Sequence, residues 1–374
     1  MRLNTKEFQE AANTILIAAD LDKTAANLEL RSSNNALYLT VTNKEYYCSV
    51  KFLLENVEEF HAVVDAQLFL NLIAGITTTD FTLTIKNNTV VVGSGKSSYK
   101  LTMIYDGDQL LKLSPIIIHN KTVEMPISLD ILKSILTVNS KEISKTKHID
   151  VNELQKLYYI TEEGCFTFTD SATLNSFTLE RPVKLLLNER IVKLFKLFNE
   201  DVNFSYGYDQ LPNGIVQTKV VFQTPNIYIA ALTTCDDILL NKIQGPCDTA
   251  KRFINESYSN NLVVDANTLS AAISRLMLFT KNSFDKTNML RIPATVIIGQ
   301  DELTIKDTLE NIEVVPIEGN STVENGYTMG INLAYLKLVL DSCKNEHITI
   351  SCGNHRSVVI THGLITNLLP EADD

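Results

Sequence analysis

The passage that most invites a chemical reading is Gly93-Ser94-Gly95-Lys96-Ser97, whose Gly-Lys-Ser is the close of a phosphate-binding loop. Such a loop needs another glycine five residues before that Gly-Lys-Ser, and the position holds Val90. It also needs a helix afterwards, so that amides and the helix dipole meet the phosphate. Here Ser98-Tyr99-Lys100-Leu101-Thr102-Met103-Ile104 alternates as a strand does, so the passage reads as a hairpin turn. Histidines 61, 119, 148, 347, 355 and 362 have no spacing that would place two on one helix face as metal ligands. No Gly-x-Ser-x-Gly seats a serine nucleophile. The acid pairs Asp236-Asp237 and Asp373-Asp374 lie in loop-like or terminal sequence and read as solvated. The residues therefore supply no catalytic set, no metal site and no cofactor site. An enzyme on repeated α+β domains stays open only through a site assembled from distant positions.

The elements that would position such residues carry the stronger signal. Val64-Asp65-Ala66-Gln67-Leu68-Phe69, Leu187-Asn188-Glu189-Arg190-Ile191-Val192 and Ile331-Asn332-Leu333-Ala334-Tyr335-Leu336 place an apolar residue before Asp or Asn, then an amphipathic run. An Asx side chain there accepts hydrogen bonds from the first helical amides. A second set opens at Leu3-Asn4-Thr5, at Ile127-Ser128-Leu129 and at Val264-Asp265-Ala266. Each helix is followed by alternating, β-rich sequence, and the copies recur at domain length rather than solenoid length. The expectation is an α+β chain of three similar domains, each with two strand–helix–strands units.

The chain has 374 residues, 45% hydrophobic, with a formal net charge of −11 and a pI near 5.1. No apolar run of about 18 residues would span a membrane, and the N-terminus lacks a signal-peptide stretch. The six cysteines are scattered without a Cys-x-x-Cys pair, which suits reduced thiols in the cytoplasm. An acidic chain is a poor general nucleic-acid binder unless its basic groups are segregated. Some segregation is visible. Arg190, Lys193 and Lys196 are spaced by three and can share a helix face, and Lys133, Arg275, Lys337 and Lys344 lie in or beside other repeat helices. Glu55, Glu58, Glu59, Glu371, Asp373 and Asp374 fall in connections or the tail.

In its order of motifs the chain resembles the bacterial DNA polymerase III beta subunit, the replicative sliding clamp, over essentially its whole length. Val64-Asp65-Ala66-Gln67-Leu68 stands where that family has V-P-A-R-x-L, and Ser94-Gly95-Lys96-Ser97-Ser98-Tyr99-Lys100-Leu101 where it has S-G-R-S-x-F-x-L. Phe168-Thr169-Asp170-Ser171-Ala172-Thr173-Leu174 is similar to A-T-D-G-H-R-L, the passage from Ile331 to Leu336 to F-N-x-x-Y-L, and Asn367-Leu368-Leu369-Pro370 to the terminal V-M-P stretch.

The resemblance implies clamp domains at residues 1–118, 119–246 and 247–374, forming a crescent. Two crescents would close head to tail into a homodimeric ring around duplex DNA, held without sequence preference. The ring would be cytoplasmic, at the replisome or nucleoid, non-catalytic and free of membrane, and would give a polymerase its processivity. Helices would line the hole, with Lys133, Arg190, Lys193, Lys196, Arg275, Lys337 and Lys344 facing the phosphates. Polymerase and clamp loader would dock short peptides in an apolar cleft, carried over by position to Val151, Thr169, Leu174, Ile238, Lys242, Ile243, Leu368, Leu369 and Pro370. Two departures bear on that cleft. Ser171-Ala172-Thr173 replaces the family's Gly-His-Arg, and the tail Glu371-Ala372-Asp373-Asp374 is acidic where the family ends apolar and basic. Such a tail disfavours acidic peptides and favours basic ones, as in a divergent clamp encoded by a phage or mobile element with its own partners. The alternative is a clamp-like scaffold or decoy that binds replication proteins without encircling DNA.

Overall fold

The computed structural model describes residues 1–374 except 22–25, 44, 55–57, 138–156, 169–171, 211–215, 234–236, 281–291, 320, 325, 344, 354–355 and 372–374. Among the described residues one strand leads into a helix and then into three strands, six times over. The first repeat is β1 (Arg2–Asn4), α1 (Thr5–Asp20), β2 (Asn27–Ser33), β3 (Ala36–Thr42) and β4 (Tyr46–Leu53). The second is β5 (His61–Asp65), α2 (Ala66–Ala74), β6 (Asp80–Lys86), β7 (Thr89–Ser94) and β8 (Ser97–Thr102), followed by a small hairpin, β9 (Tyr105–Asp106) and β10 (Gln109–Leu110). The third is β11 (Asn120–Ile127), α3 (Leu129–Thr137), β12 (Leu157–Thr161), β13 (Gly164–Phe168) and β14 (Ala172–Ser176). The fourth is β15 (Lys184–Asn188), α4 (Glu189–Lys193), β16 (Val202–Gln210), β17 (Val216–Gln223) and β18 (Ile227–Thr233). A connecting helix, α5 (Asp237–Ile254), leads to the fifth: β19 (Asn260–Asp265), α6 (Ala266–Thr280), β20 (Pro293–Ile298), β21 (Glu302–Asp307) and β22 (Ile312–Pro316). The sixth is β23 (Tyr327–Asn332), α7 (Leu333–Ser342), β24 (His347–Cys352), β25 (Ser357–His362) and β26 (Ile365–Pro370).

Helix starts follow the capping chemistry. Asn4 Oδ1 accepts from the Glu7 amide at 3.1 Å, Asp65 Oδ1 from Leu68 at 2.7 Å and Asp265 Oδ1 from Thr268 at 2.7 Å. Asn332 Oδ1 accepts from Ala334 at 3.0 Å and Ser128 Oγ from Ile131 at 3.4 Å. The helix expected after Asn188 is short: α4 passes at once into a 3₁₀ turn over Leu194–Leu197. The apolar spacing accounts for the change. Ile191 and Val192 of the α-helical turn and Leu194, Phe195 and Leu197 of the 3₁₀ turn are all buried. Arg190, Lys193 and Lys196 lie between them at intervals of three, with Arg190 and Lys196 exposed.

Repeats interlock in pairs by exchanging their first strands. β5 edges the sheet of β2 and β1 that of β6; β15 edges β12 and β11 edges β16; β23 edges β20 and β19 edges β24. By contacts the described chain divides into two compact units, Met1–Lys133 with Arg190–Cys235, and Ser134–Glu189 with Asp236–Asp374. The first unit holds an eight-stranded sheet, β11-β16-β17-β18-β4-β3-β2-β5, and a four-stranded one, β1-β6-β7-β8. The second holds β15-β12-β13-β14-β26-β25-β24-β19 and β22-β21-β20-β23. In each eight-stranded sheet two third strands meet antiparallel. β18 pairs with β4 from Ile227↔Val50 to Ala231↔Tyr46, and β14 with β26 from Ala172↔Leu368 to Asn175↔Ile365.

Apolar packing fills each unit. Phe8 on α1 meets Phe52, Phe69 and Phe81 edge to face at 5.2, 6.3 and 5.3 Å, while Phe222 packs on Phe195 and Phe204. In the second unit Leu269, Ile273 and Leu276 of α6 share a core with Leu336, Val339 and Leu340 of α7. The five described cysteines are free and buried; burial pushes the thiols of Cys247 and Cys352 up to about 12. Among the described residues no helix is long and apolar enough to cross a membrane.

The first connector runs from β8 to β11 against the eight-stranded sheet of its unit. Tyr228 Oη donates to the Ile116 carbonyl at 3.2 Å and Lys219 Nζ to the Ile117 carbonyl at 2.9 Å, so the segment lies across β17 and β18. Lys219 also bonds Asp209 Oδ2 at 2.5 Å, and the His119 amide bonds Asp209 Oδ1 at 3.1 Å. The lysine, with His119 in support, holds the Asp209 carboxyl far below the usual range.

Gly164, at the start of β13, has φ +153°, and a Cβ there would lie 2.3 Å from the Asn175 carbonyl oxygen of β14. Gly164→Ala should therefore lower stability by about 2 kcal/mol or more, since backbone strain and overpacking each cost on the order of 1–3 kcal/mol. Thermal denaturation followed by circular dichroism reads this, and an unchanged melting point would contradict it.

Candidate functional site: an apolar groove and a basic helix face

The register of the second unit builds a row of side chains across the β14–β26 seam. Phe168 pairs with Ala172, Ala172 with Leu368, and Leu368 with Val359, and directly opposed residues share one face of a sheet. On the other face Thr173 Oγ1 donates to Asn367 Oδ1 at 2.8 Å, a buried bond that fixes the seam's register. Helix α5 crosses this sheet. Gly245, Pro246, Thr249, Ala250 and Phe253 recur at helical spacing and form one wall. Pro246 has no amide hydrogen to give the Lys242 carbonyl, so one helical bond is missing where the wall begins. Two anchors hold the helix. Lys251 Nζ bonds Glu163 and stands 5.6 Å over the Phe166 ring, and Tyr258 Oη donates to the Phe253 carbonyl and lies 3.1 Å from Ser357 Oγ.

Between wall and sheet lies a groove of about 650 Å³, floored by Phe168, Ala172, Leu368 and Leu369 and rimmed by Arg356, Ser357 and Pro370. Among the described residues its lining is apolar with a single ionisable side chain, Arg356. An extended peptide with two bulky apolar side chains fits such a surface: apolar burial supplies the affinity and the groove's shape the selection. Glu371 follows directly. Tyr327 Oη donates to its Oε1 at 3.1 Å and burial raises its carboxyl pKa, so the first tail carboxylate is held at Tyr327. Burial and this neighbouring acid push the Tyr327 phenol up to about 12.

Of the cleft residues expected from sequence, Leu368, Leu369 and Pro370 line the groove. Leu174 lies on the next row of the same face, opposite Phe166 and Thr366, outside the lining. Ile243 is fully buried under α5, whereas Ile238, 67% exposed, and Lys242 lie on the outside of that helix. Val151 and Thr169 fall outside the described residues. Sequence reasoning missed Phe168, Ala172, Arg356, Ser357 and the wall from Gly245 to Phe253. The four-residue recurrence from Pro246 to Phe253 was the available signal.

The basic positions divide by unit. In the first, Arg190 and Lys196 are exposed and Lys193 is half-buried along one side of the α4 segment, and Lys133 is exposed on α3. Asp201 Oδ1 accepts from the Leu129 amide at 2.8 Å, tying the start of α3 to the end of that segment. Arg190 Nη1 lies 3.6 Å from Glu45 Oε1, too far for a hydrogen bond. In the second unit Arg275 makes a two-pronged pair with Glu313, Nε to Oε1 at 2.7 Å and Nη2 to Oε2 at 2.6 Å. That pair raises the arginine's pKa and lowers the glutamate's. Lys337 is half-buried between Asp341 of its own helix and Ser270 Oγ of α6 at 2.9 Å. Lys344 lies outside the described residues. Among the described residues no group of three or more His, Cys, Asp or Glu is placed to hold a metal ion.

No protein-family model matches the chain. The Helicobacter pylori Beta sliding clamp is 20% identical over 371 residues, covering 95% of this chain and 90% of that protein, and the Rickettsia felis Beta sliding clamp is 21% identical over 338 residues. The DnaN sliding clamp of Pseudomonas aeruginosa, solved bound to griselimycin, superposes over 100% of this chain and 99% of its own with a TM-score of 0.77 at 12% identity. The Bacillus subtilis DNA polymerase sliding clamp gives 0.74 over 100% and 98%, and the Thermotoga maritima DNA polymerase III beta subunit 0.73 over 100% and 99%. The fold is that of the bacterial beta sliding clamps. The match runs the length of the chain, so the expected α+β clamp architecture holds throughout, on a sequence that has diverged widely from these relatives.

Thr249 is exposed on the groove wall, so a larger side chain there fills the groove without entering the core. Thr249→Trp should weaken binding of any extended peptide that seats a bulky apolar side chain in the groove by about tenfold or more, since a lost apolar anchor costs on the order of 2 kcal/mol. Fluorescence anisotropy of a labelled peptide measures it, and unchanged affinity would place the peptide elsewhere.

Proposed function

We propose that this chain is a DNA sliding clamp: two copies close into a ring around duplex DNA and tether a polymerase to it. The observation that carries the reading is the fate of the third strands. Four of the six pair with one another, whereas β8 and β22 each end a four-stranded sheet. An unpaired edge is a template for another strand. If β8 of one copy pairs with β22 of the next, both remaining third-strand edges are satisfied, and a two-fold repetition of the contact closes rather than polymerises. The side chains agree with burial there. Tyr99 is exposed on β8, as are Ile312 and Val314 on β22 and Leu278 and Phe279 at the end of α6.

A ring of this kind holds DNA by topology and needs no catalytic residue, which fits a non-catalytic processivity factor working in the cytoplasm. An acidic exterior discourages other contact with DNA, while water-filled space between lysines and phosphates permits sliding. Polymerase and loader peptides would occupy the groove between α5 and the β14–β26 seam. The departures at Ser171-Ala172-Thr173 and in the tail point to a dedicated set of partners. Binding of a consensus clamp peptide as tightly as an ordinary bacterial clamp binds it would count against that part.

Sedimentation should give a particle near twice 41.8 kDa, reduced to a single chain by the double substitution Ile312→Asp, Val314→Asp. The protein loaded on nicked circular DNA should stay bound and be lost when the circle is cut. Equal retention on circle and linear DNA would sink the ring reading, and a monomeric unsubstituted protein would favour a scaffold or decoy.

A further inference from the structure

The groove lies between a helix and a strand edge, and the phenol of Tyr258 touches both. Helix α5 contributes Phe253 from its last turn and β25 contributes Ser357 from its start, and both line the groove. Tyr258 lies outside the lining, in the stretch that leads from α5 to β19. Its Oη donates to the Phe253 carbonyl at 2.8 Å and stands 3.1 Å from Ser357 Oγ. A phenol has one hydrogen to give. The carbonyl takes it, so the serine hydroxyl donates to Oη. A directed chain therefore runs from the Ser357 hydroxyl through the Tyr258 phenol to the Phe253 carbonyl, and each bond of such a chain polarises the next. Burial raises the phenol's pKa, so the bridging proton stays in place at neutral pH.

Other ties on α5 reach the far flank of the sheet. Lys251 Nζ bonds Glu163 in the turn between β12 and β13, and Tyr159 Oη of β12 donates to Gln244 Oε1 at 3.4 Å. The lysine pair is exposed and adds little by itself. At the other flank Ser357 is buried and paired opposite Pro370 of β26, so its hydroxyl is fixed in the sheet. The bridge through Tyr258 sets the last turn of α5 at one distance from that strand.

Resting on the reading of this groove as a peptide site, we infer that Tyr258 is a positioning residue that fixes the groove's width and so selects which apolar side chains of a bound peptide fit. It acts through Phe253 and Ser357, without touching the peptide. A slot of fixed width admits no larger side chain by yielding, and a smaller one leaves part of its wall without contacts.

The test uses the full-length protein and labelled nonapeptides selected on it from a random library, each remade with Leu, Phe or Trp at its anchor position. Thr249→Trp shows whether they sit in the groove. A rigid apolar pocket separates side chains one methylene apart by roughly tenfold or more. In Tyr258→Phe, which keeps the ring and loses the hydroxyl, the affinity ratio of best to worst anchor should shrink by about threefold or more. Ser357→Ala breaks the same chain from its other end, so it should shrink the ratio as much, and the double substitution should add nothing further. Lower melting temperatures with an unchanged ratio, or effects of the two substitutions that add, overturn the inference and leave the groove reading intact. If no peptide is selected, or the peptides bind Thr249→Trp as tightly as the unsubstituted protein, the groove reading falls and the inference with it.

Discussion

The structure rests on the demand that backbone groups at strand edges find partners. Each repeat ends in a third strand that leaves one row of amides and carbonyls open. In each eight-stranded sheet two such rows are joined antiparallel, at β4–β18 and at β14–β26. These seams turn separate repeats into two continuous sheets, and the buried Thr173–Asn367 bond fixes the register of one of them. First-strand exchange supplies the other constraint. No repeat completes its sheet alone, so each takes an edge strand from the other member of its pair. Division by sequence repeat and division by contact therefore differ: the stretch 119–246 gives β11 and β16–β18 to one unit and β12–β15 to the other.

Charge is managed by the same economy of partners. With a net charge of −11, the chain has carboxylates to spare, and it uses some of them to pin cations that would otherwise be free. Glu313 and Asp341 each convert a basic helix position into a strut, while Arg190 and Lys196 of the α4 segment stay exposed beside its buried apolar residues. Counting basic residues along a chain cannot separate these cases, since the deciding carboxylate lies on another strand or one helical turn away.

What the sequence made legible was local. Asx and Ser caps, apolar spacing and strand alternation act over a few residues, and they located the helix starts correctly. Gly93-Ser94-Gly95-Lys96-Ser97 is the turn between β7 and β8, with Gly95 at φ +58° and Ser94 paired to Ser97. The helix after Asn188 was legible as an element but not as a 3₁₀ turn, because the tightening follows from how its buried apolar residues meet the core. The groove was legible only at its C-terminal strand. Its floor joins residues almost two hundred positions apart, through a register no periodicity encodes. Its wall belongs to a connecting helix, and the positions carried over by resemblance fell on that helix's first half, while the groove is formed by its second.

The two connectors treat their seams differently. The first is laid flat across β17 and β18, its carbonyls at Ile116 and Ile117 already claimed by Tyr228 and Lys219. The second is coiled into α5 and stands clear of Phe168, Ala172 and Leu368. The chain is thus its own guest at one seam and a host at the other. If the chain closes into a ring and this groove is where its partners dock, traffic on that ring becomes a matter of turn-taking: one protein must release its hold on the groove before another takes the same copy.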